Sequence, residues 1–497
     1  MQEPTIHRRR ERLSNMTDGL GLGGIYGATI ERIKAQGGHK SRLGMGALMW
    51  ISYAEVPLSP DELCHALAVE LGSTDFNAAN IPSIMTLVSC CQGLITVDKE
   101  KSTVRLIHFT LREYFSAHPD IFSRPHSAMA EICLTYLNSQ QVKALSAKVK
   151  AILAYPSNYF STLTDDKPFL EYCSLYWGVH AKKELSDSAR SLALQLFREY
   201  DGHISAVLYL EHTWELNEQS KEDADKDSLW SGLHCASHFG IVEVVAALVE
   251  IGCYDLDEGD CFGCTALSLA AEAGHEEVVE ILLRREEVNS NTEDKLGVTP
   301  LSYAAMKGHE GAVKILLGRE GVNPDKPNNH GQTPLSDAAR GGHEGIVKML
   351  LEQGEVNPDK PDDQGRTPLS HASGSRHEGV VKILLGREEV NPDRPDNGGR
   401  TPLSHAAKTG RKGIVKILLG RDEVNPDKPD NGGRTPLSYA AQYGYEGVVK
   451  ILLGRQEVNP DKPDNCGQTP LMIATNWRRQ GVIALLRSHH AVAHSAT

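Results

Sequence analysis

The feature that most constrains this chain is a repeat. Thr-Pro-Leu recurs at Thr299, Thr333, Thr367, Thr401, Thr435 and Thr469, each step being 34 residues. Thr265-Ala266-Leu267 extends the series upstream and Ser231-Gly232-Leu233-His234 extends it once more, giving eight units from about Ser228 to the C-terminus. A fixed period of this length restricts the fold to stacked supersecondary units, each burying its apolar face against the next.

A clear unit reads GQTPLSDAARGGHEGIVKMLLEQGEVNPDKPDD. Thr and Pro open a first helix as cap and first-turn proline. In the third unit Leu301, Ala304 and Ala305 give that helix a small apolar face, and Gly308 supplies a left-handed stop. Val313, Leu316 and Leu317, spaced i, i+3, i+4, predict the buried stripe of a second helix. Pro324 and Pro327 keep the following connection extended. The unit resembles the ankyrin repeat, whose signature is T-P-L-H-x-A in a period of 33. The extra residue falls in the connection, for example Val390 to Asn397. The end units depart most, with Ile241 in the first and Trp477, Arg478 and Arg479 in the last, as the ends of a solenoid require.

The resemblance implies a recognition surface made of finger tips and first helices. The positions it assigns to that surface vary while the rest of the unit barely changes. One groove series is Tyr303, Asp337, His371, His405, Tyr439 and Ile473. Another is Lys307, Gly341, Ser375, Thr409, Tyr443 and Trp477. On the fingers Val298, Gln332, Arg366, Arg400, Arg434 and Gln468 alternate in the same way. Arg340, Arg376 and Lys408 lie nearby in sequence. Aromatic and arginine residues anchor interfaces, so these positions are the expected partner-binding residues, and the arginine series predicts a partner segment of acidic character. Drift at exposed sites after duplication is the rival explanation of the variation. The Lys314, Lys348, Lys382, Lys416, Lys450 series is expected on a solvated face. The His275, His309, His343, His377 row resembles the structural histidine of ankyrin repeats rather than a metal site.

Residues 1 to about 215 lack the period. Ser59, with Asp61 and Glu62 behind it, predicts a capped helix whose buried face is Leu63, Leu67 and Leu71. Pro82 opens another helix ending near Gly93. Ile95–Val97 and Val104–Ile107 flank a polar turn and predict a hairpin. Helix, helix, helix, hairpin is a winged-helix arrangement. Ala47-Leu48-Met49-Trp50-Ile51, Cys91-Gln92-Gly93-Leu94 and Arg105-Leu106-Ile107-His108-Phe109-Thr110, among other stretches between about Leu20 and Ser205, resemble the segments that follow the ATPase in fungal NACHT–ankyrin proteins, relatives of NLR-type receptors. That resemblance implies a nucleotide-sensing role for His108. Phe109 stands where many relatives have aspartate, and a buried or hairpin-packing histidine is the favoured reading.

No Gly-Lys-Ser/Thr exists for a phosphate loop. Gly19-Leu20-Gly21-Leu22-Gly23-Gly24 fits G-x-G-x-x-G but follows the basic cluster Arg8, Arg9, Arg10 and Arg12 rather than a strand. The chain is therefore expected to begin inside the last part of a NACHT-like region. Cys261-Phe262-Gly263-Cys264 is the one C-x-x-C, and no second pair completes a tetrad. The predicted winged-helix reader offers no Lys or Arg between Pro82 and Cys91, and the formal net charge of −13 also opposes nucleic-acid binding. Ten cysteines without a small-domain framework suggest a reducing compartment. No uninterrupted apolar stretch of about 18 residues exists. The expected location is the cytoplasm, with nuclear entry open through the arginine cluster.

The expected fold is all-α dominated: the end of a NACHT-like region at 1–45, a winged-helix-like domain at 46–118, a helical region at 119–216, an acidic linker at 217–228 and an ankyrin α-solenoid at 229–497. The expected function is a protein–protein interaction module or receptor-type sensor, with no catalytic residue, cofactor, metal, nucleic acid or membrane. The alternative is the regulatory part of a nucleotide-driven switch acting with an ATPase in trans.

Overall fold

A computed structural model describes residues 22–146, 167–198, 200, 203–213 and 230–495. The Arg8–Arg12 cluster, the start of the G-x-G-x-x-G text and the 217–228 linker lie outside the described residues. Contacts divide the chain into two compact units, 1–248 and 249–497.

The first unit opens with helices α1 (Leu22–Ala35), α2 (Gly38–Tyr53) and α3 (Pro60–Ala68). Ser59 caps α3 reciprocally: its Oγ accepts from the Glu62 N–H at 3.2 Å and its own N–H donates to Glu62 Oε2 at 2.7 Å. Leu63, Cys64, Ala66 and Ala68 form the buried face. Leu71 was expected there too but is 55% exposed, because the chain leaves helical geometry at Val69 and helical spacing ends with it. After α4 (Ile84–Cys90), strands β1 (Ile95–Asp98) and β2 (Thr103–Leu106) pair antiparallel, Ile95 opposite Leu106. Val104 N–H donates to the Leu58 carbonyl at 2.9 Å and ties the hairpin to the α3 entry. This is the winged-helix arrangement read from the sequence.

Helices α5 (Thr110–Ala117), α6 (Pro125–Leu137), α7 (Gln140–Ser146), α8 (Phe169–Lys183), α9 (Asp187–Phe197) and α10 (Ile204–Thr213) follow. Trp50 on α2 meets Phe169 and Tyr172 on α8 edge-on, at centroid distances of 5.4 and 5.6 Å, so the winged-helix and helical parts share one aromatic core. His180 of α8 is fully buried. Tyr172 Oη accepts the Glu55 N–H at 3.2 Å and is hydrogen-bonded to His180 Nε2 at 2.8 Å. His180 Nδ1 faces His126 Nδ1 at 2.8 Å. Burial, then the neighbouring His126 and Lys183, push His180 down to about 3, so its imidazole is neutral. The first repeat, α11 (Gly232–Phe239) and the start of α12 (Val242–Ile251), lies in this unit. Phe239 of α11 packs against Trp177 of α8 at 5.6 Å, directly over Gly178.

The second unit carries seven further repeats. Their first and second helices are α13 (Ala266–Ala273) and α14 (Glu276–Leu283), α15 (Pro300–Lys307) and α16 (Glu310–Leu317), α17 (Pro334–Gly341) and α18 (Glu344–Leu351), α19 (Pro368–Gly374) and α20 (Glu378–Leu385), α21 (Pro402–Lys408) and α22 (Lys412–Leu418), α23 (Pro436–Tyr443) and α24 (Glu446–Leu453), and α25 (Pro470–Asn476) and α26 (Gln480–Ser495). Each first helix is capped by a threonine, from Thr265 to Thr469, that accepts the N–H three residues on.

The first helices mostly end on a left-handed glycine. Gly308 has φ +86°, and a Cβ there would lie 2.5 Å from the ring of His343 in the next repeat. That ring is held by its Nε2, which bonds the Met306 carbonyl at 3.2 Å, as His309 bonds Glu272 at 2.9 Å. His309 and His343 of the histidine row are thus structural, as expected. In the fifth repeat Ser375 Oγ meets the corresponding carbonyl of Arg340 instead, and in the last Arg479 Nε takes that of Gln442.

The P-D-K-P connections join neighbours by ion pairs. Lys360, Arg394, Lys428 and Lys462 reach Asp325, Asp359, Asp393 and Asp427 at 2.9–3.0 Å. At the tips, the Nδ2 groups of Asn329, Asn397, Asn431 and Asn465 each donate to a carbonyl 34 residues upstream, at 2.9–3.0 Å.

Candidate partner-binding surface

Each finger is built around one acidic or amide residue. In the sixth repeat Asp396 Oδ1 accepts the N–H groups of Gly398 and Arg400, both at 2.9 Å. Gly399, at φ +80°, donates its N–H to the Asp396 carbonyl. Asp396 Oδ2 accepts Arg400 Nε–H at 2.9 Å and bonds His405 Nε2 at 3.0 Å. The finger is therefore clamped onto the first helix nine residues later.

The same clamp recurs with changing partners. Asp362 holds Arg366 and His371, while Asp294 takes Tyr303 Oη–H at 2.6 Å and Asp430 takes Tyr439 Oη–H at 2.5 Å. Burial first, then the Arg366 charge, pushes His371 down to about 4, so a neutral imidazole donates its Nε2–H to Asp362. Burial works to raise Asp362, but hydrogen bonds from Arg366 outweigh it and hold that carboxyl below its ordinary value.

The fourth repeat reverses the pattern. The finger residue is Asn328, whose Oδ1 still accepts the N–H groups of His330 and Gln332. The residue nine positions on is the acid, Asp337. Its side chain is fully buried, its Oδ1 pairs with Arg340 at 2.5 Å, and its Oδ2 has no hydrogen-bond partner. Burial pushes Asp337 up to about 6, against the pull of Arg340.

Asp337→Asn is therefore expected to stabilise the protein above pH 6. A carboxyl raised in the native state is favoured protonated, so its cost is absent near pH 4, appears as pH rises and is complete above about 6. The gain should be on the order of 2 kcal/mol at pH 7 and shrink toward zero by pH 4. Urea unfolding of parent and variant at both pH values checks this; a difference independent of pH would refute it.

The structure thus sorts the partner-binding candidates. Tyr303, Asp337 and Tyr439 are buried and His371 and His405 half-buried, their polar ends turned to internal partners. Gln332 Oε1 accepts from Asn328 Nδ2 at 3.4 Å. Arg366 and Arg400 fold back on their own finger carboxylates, Arg340 pairs with Asp337, and Lys307 pairs with Glu272 at 3.1 Å. Arg376, Arg434 and Tyr443 are exposed and Lys408 is half-exposed, and the three cations make no ion pair among the described residues. Trp477, at the position of Tyr443 one repeat on, is 55% exposed, and Tyr443 is 40% exposed. The lysine series on the second helices is exposed, as expected.

Two other candidates take definite places. Cys261 and Cys264 are both buried, and Cys264 Sγ lies 3.4 Å from Tyr303 Oη. His108 was expected in a packed setting but is exposed just beyond β2. Its Nδ1 contacts Thr110 Oγ1 at 2.8 Å and its ring lies 4.5 Å from that of Phe109, itself 69% exposed. The polar residue Thr110 holds the ring outward at the start of α5, which the hairpin spacing could not reveal.

No helix among the described residues is long and apolar enough to cross a membrane. Comparison with protein families matches residues 199–294, 286–362, 354–430 and 422–495 to ankyrin repeats (3 copies). Residues 31–124 match the winged helix domain of GPI inositol-deacylase. No curated protein matches the chain. Among solved structures, the human ASB11 ankyrin repeat domain is similar at 28% identity over 44% of this chain and 96% of that one, with a TM-score of 0.39.

Proposed function

The chain belongs to the ankyrin-repeat family, and from that premise we propose that it binds a protein partner on the finger and first-helix side of its last three repeats. The observation that carries this is the exposed pair Tyr443 and Trp477, at the same place in consecutive repeats, beside Arg434 of the seventh repeat and Lys408 of the sixth, which make no ion pair among the described residues. Large aromatic side chains left in water and flanked by uncompensated cations are the groups that anchor interfaces. They suit a segment carrying apolar and acidic side chains together. The middle repeats contribute less, because Arg366, Arg400, His371 and His405 already satisfy finger carboxylates. The reading is of a recognition scaffold in the reducing interior of the cell, with the groove pre-formed by its internal clamps.

Selection of a random peptide library on the immobilised full chain tests this. Enriched peptides should combine acidic and aromatic or aliphatic residues. Their affinity should fall roughly tenfold between low and high salt. It should also be lost in Tyr443→Ala/Trp477→Ala with the far-UV circular dichroism unchanged. Peptides that bind the double variant as well as the parent would refute the assignment.

A further inference from the structure

Three metal-type donors from three separate elements converge in the first unit. Glu55 lies in the connection between α2 and α3, His126 in the first turn of α6 and His180 in the last turn of α8. One ligand atom from each lies within 4.8 Å of the others. The two imidazoles face each other through the same atom: Nδ1 of His126 is 2.8 Å from Nδ1 of His180. Glu55 Oε1 is 3.9 Å from His180 Nδ1. We propose that Glu55, His126 and His180 form a binding site for a divalent transition-metal ion of the zinc class.

The geometry needs little adjustment. An ion about 2.05 Å from both nitrogens would set them about 2.9–3.3 Å apart for coordination angles between 90° and 109°. The present separation must open by a few tenths of an ångström. Two imidazoles and one carboxylate suit zinc and its neighbours in the first transition row rather than calcium or magnesium, which take all-oxygen shells. Three protein ligands leave a coordination position for water or an incoming donor.

The surroundings are those of a supported ligand set. His180 Nε2 is held by Tyr172 Oη at 2.8 Å, which fixes the ring with Nδ1 pointing at His126. The same phenol oxygen accepts the Glu55 N–H, so one group orients two of the three ligands. Trp50 packs edge-on to the His180 ring and Tyr53 edge-on to the His126 ring. The Glu55 side chain is 24% exposed and gives the ion a path from solvent. Lys183 Nζ lies 2.5 Å from Glu55 Oε1 and occupies the carboxylate without the ion. Its side chain is 45% exposed at the end of α8, so it can swing away as the ion enters. Both imidazoles bind as neutral rings through Nδ1 with the proton on Nε2, and the Nε2–H of His180 donates to Tyr172 Oη, so no proton is lost from either ring. Metal binding would join the α2–α3 connection to α6 and α8, which are separated by 71 and 54 residues between successive ligands.

Zinc titration of the chelator-treated full chain against a chromophoric zinc indicator tests this, with cobalt visible absorption as a second readout. The other histidines of the chain, including His489 and His490, make variants essential. The parent should take up one zinc tightly, with a Kd below about 1 μM. Glu55→Gln should weaken that site at least tenfold and His126→Ala at least a hundredfold. Zinc should raise the melting temperature of the parent but not of His126→Ala, and the cobalt bands should vanish in His126→Ala. Since Glu55 and His126 are not fully buried, both variants should keep the parent far-UV spectrum; a variant that does not is replaced by His126→Gln. No zinc uptake tighter than about 10 μM would overturn the proposal. So would uptake unchanged in both variants, or loss in His126→Ala with Glu55→Gln unchanged.

Discussion

Asp396→Ala should destabilise the sixth repeat by about 3–4 kcal/mol. The substitution removes the acceptor of two backbone N–H groups in the finger, the partner of Arg400 and the partner of His405 at once. Asp396→Asn should cost only about 1–2 kcal/mol, since an amide oxygen can still accept both N–H groups, as Asn328 does in the fourth repeat. The charge-dependent part has its own pH signature. Burial opposes ionisation of Asp396, but the bonds from His405 and from the Arg400 backbone, with both their charges, hold it at about 2. A carboxyl depressed in the native state contributes stability that is present above the ordinary carboxylate range and lost as pH falls toward 2. The gap between parent and Asp396→Asn should therefore be full at pH 6 and narrow as pH falls below about 4. Urea unfolding of the full chain gives the order Asp, Asn, Ala. An alanine variant as stable as the asparagine one would show that the N–H groups find water instead.

Gly178→Ala should cost more than about 3 kcal/mol, large for a single methyl group. A Cβ at this position would lie 2.2–2.6 Å from three ring atoms of Phe239. Those atoms belong to the base and flanks of the ring, and the ring is closed in by Trp177 at 5.6 Å and Tyr209 at 5.2 Å. It cannot slide aside without opening the contact between α8 and the first repeat. Phe239→Ala alone should also destabilise, by loss of a buried aromatic. The double variant should be much less unstable than the two single effects added, because each change relieves the other. Additive effects in a thermal or urea double-mutant cycle would mean that the helices part without using this contact.

The fold was legible wherever the signal was local. The threonine caps, the turn glycines and the polar turn between β1 and β2 all act within a few residues of themselves, and the 34-residue period repeats those local signals unit after unit. The end of α3 was not, since helical spacing continues through Leu71 in the sequence while the backbone turns at Val69. The surface was legible only in part. Tyr303, His371, His405 and Tyr439 vary between repeats, which suggested contact with a ligand, yet each bonds a finger carboxylate nine residues before it. A signal for this lay in the chain itself. The finger residue is Asp where the later one is Tyr or His, and it becomes Asn328 in the one of these five repeats whose later residue is the acid Asp337. Donor and acceptor change places together. The Glu55, His126 and His180 cluster had no such trace, because nothing in the sequence announces that the α2–α3 connection, α6 and α8 meet.

The rungs between P-D-K-P connections all span 35 residues, and those from a finger asparagine to the backbone carbonyl of the preceding finger all span 34. Excision of residues 362–395 would bring Lys428 to the same sequence distance from Asp359 that Arg394 now has, and the rung could close again with a new partner. Blocks of one period are in this sense interchangeable parts. Unequal exchange between copies of the coding sequence can lengthen or shorten the array without cutting a rung, so the reach of the molecule can change faster than its stability.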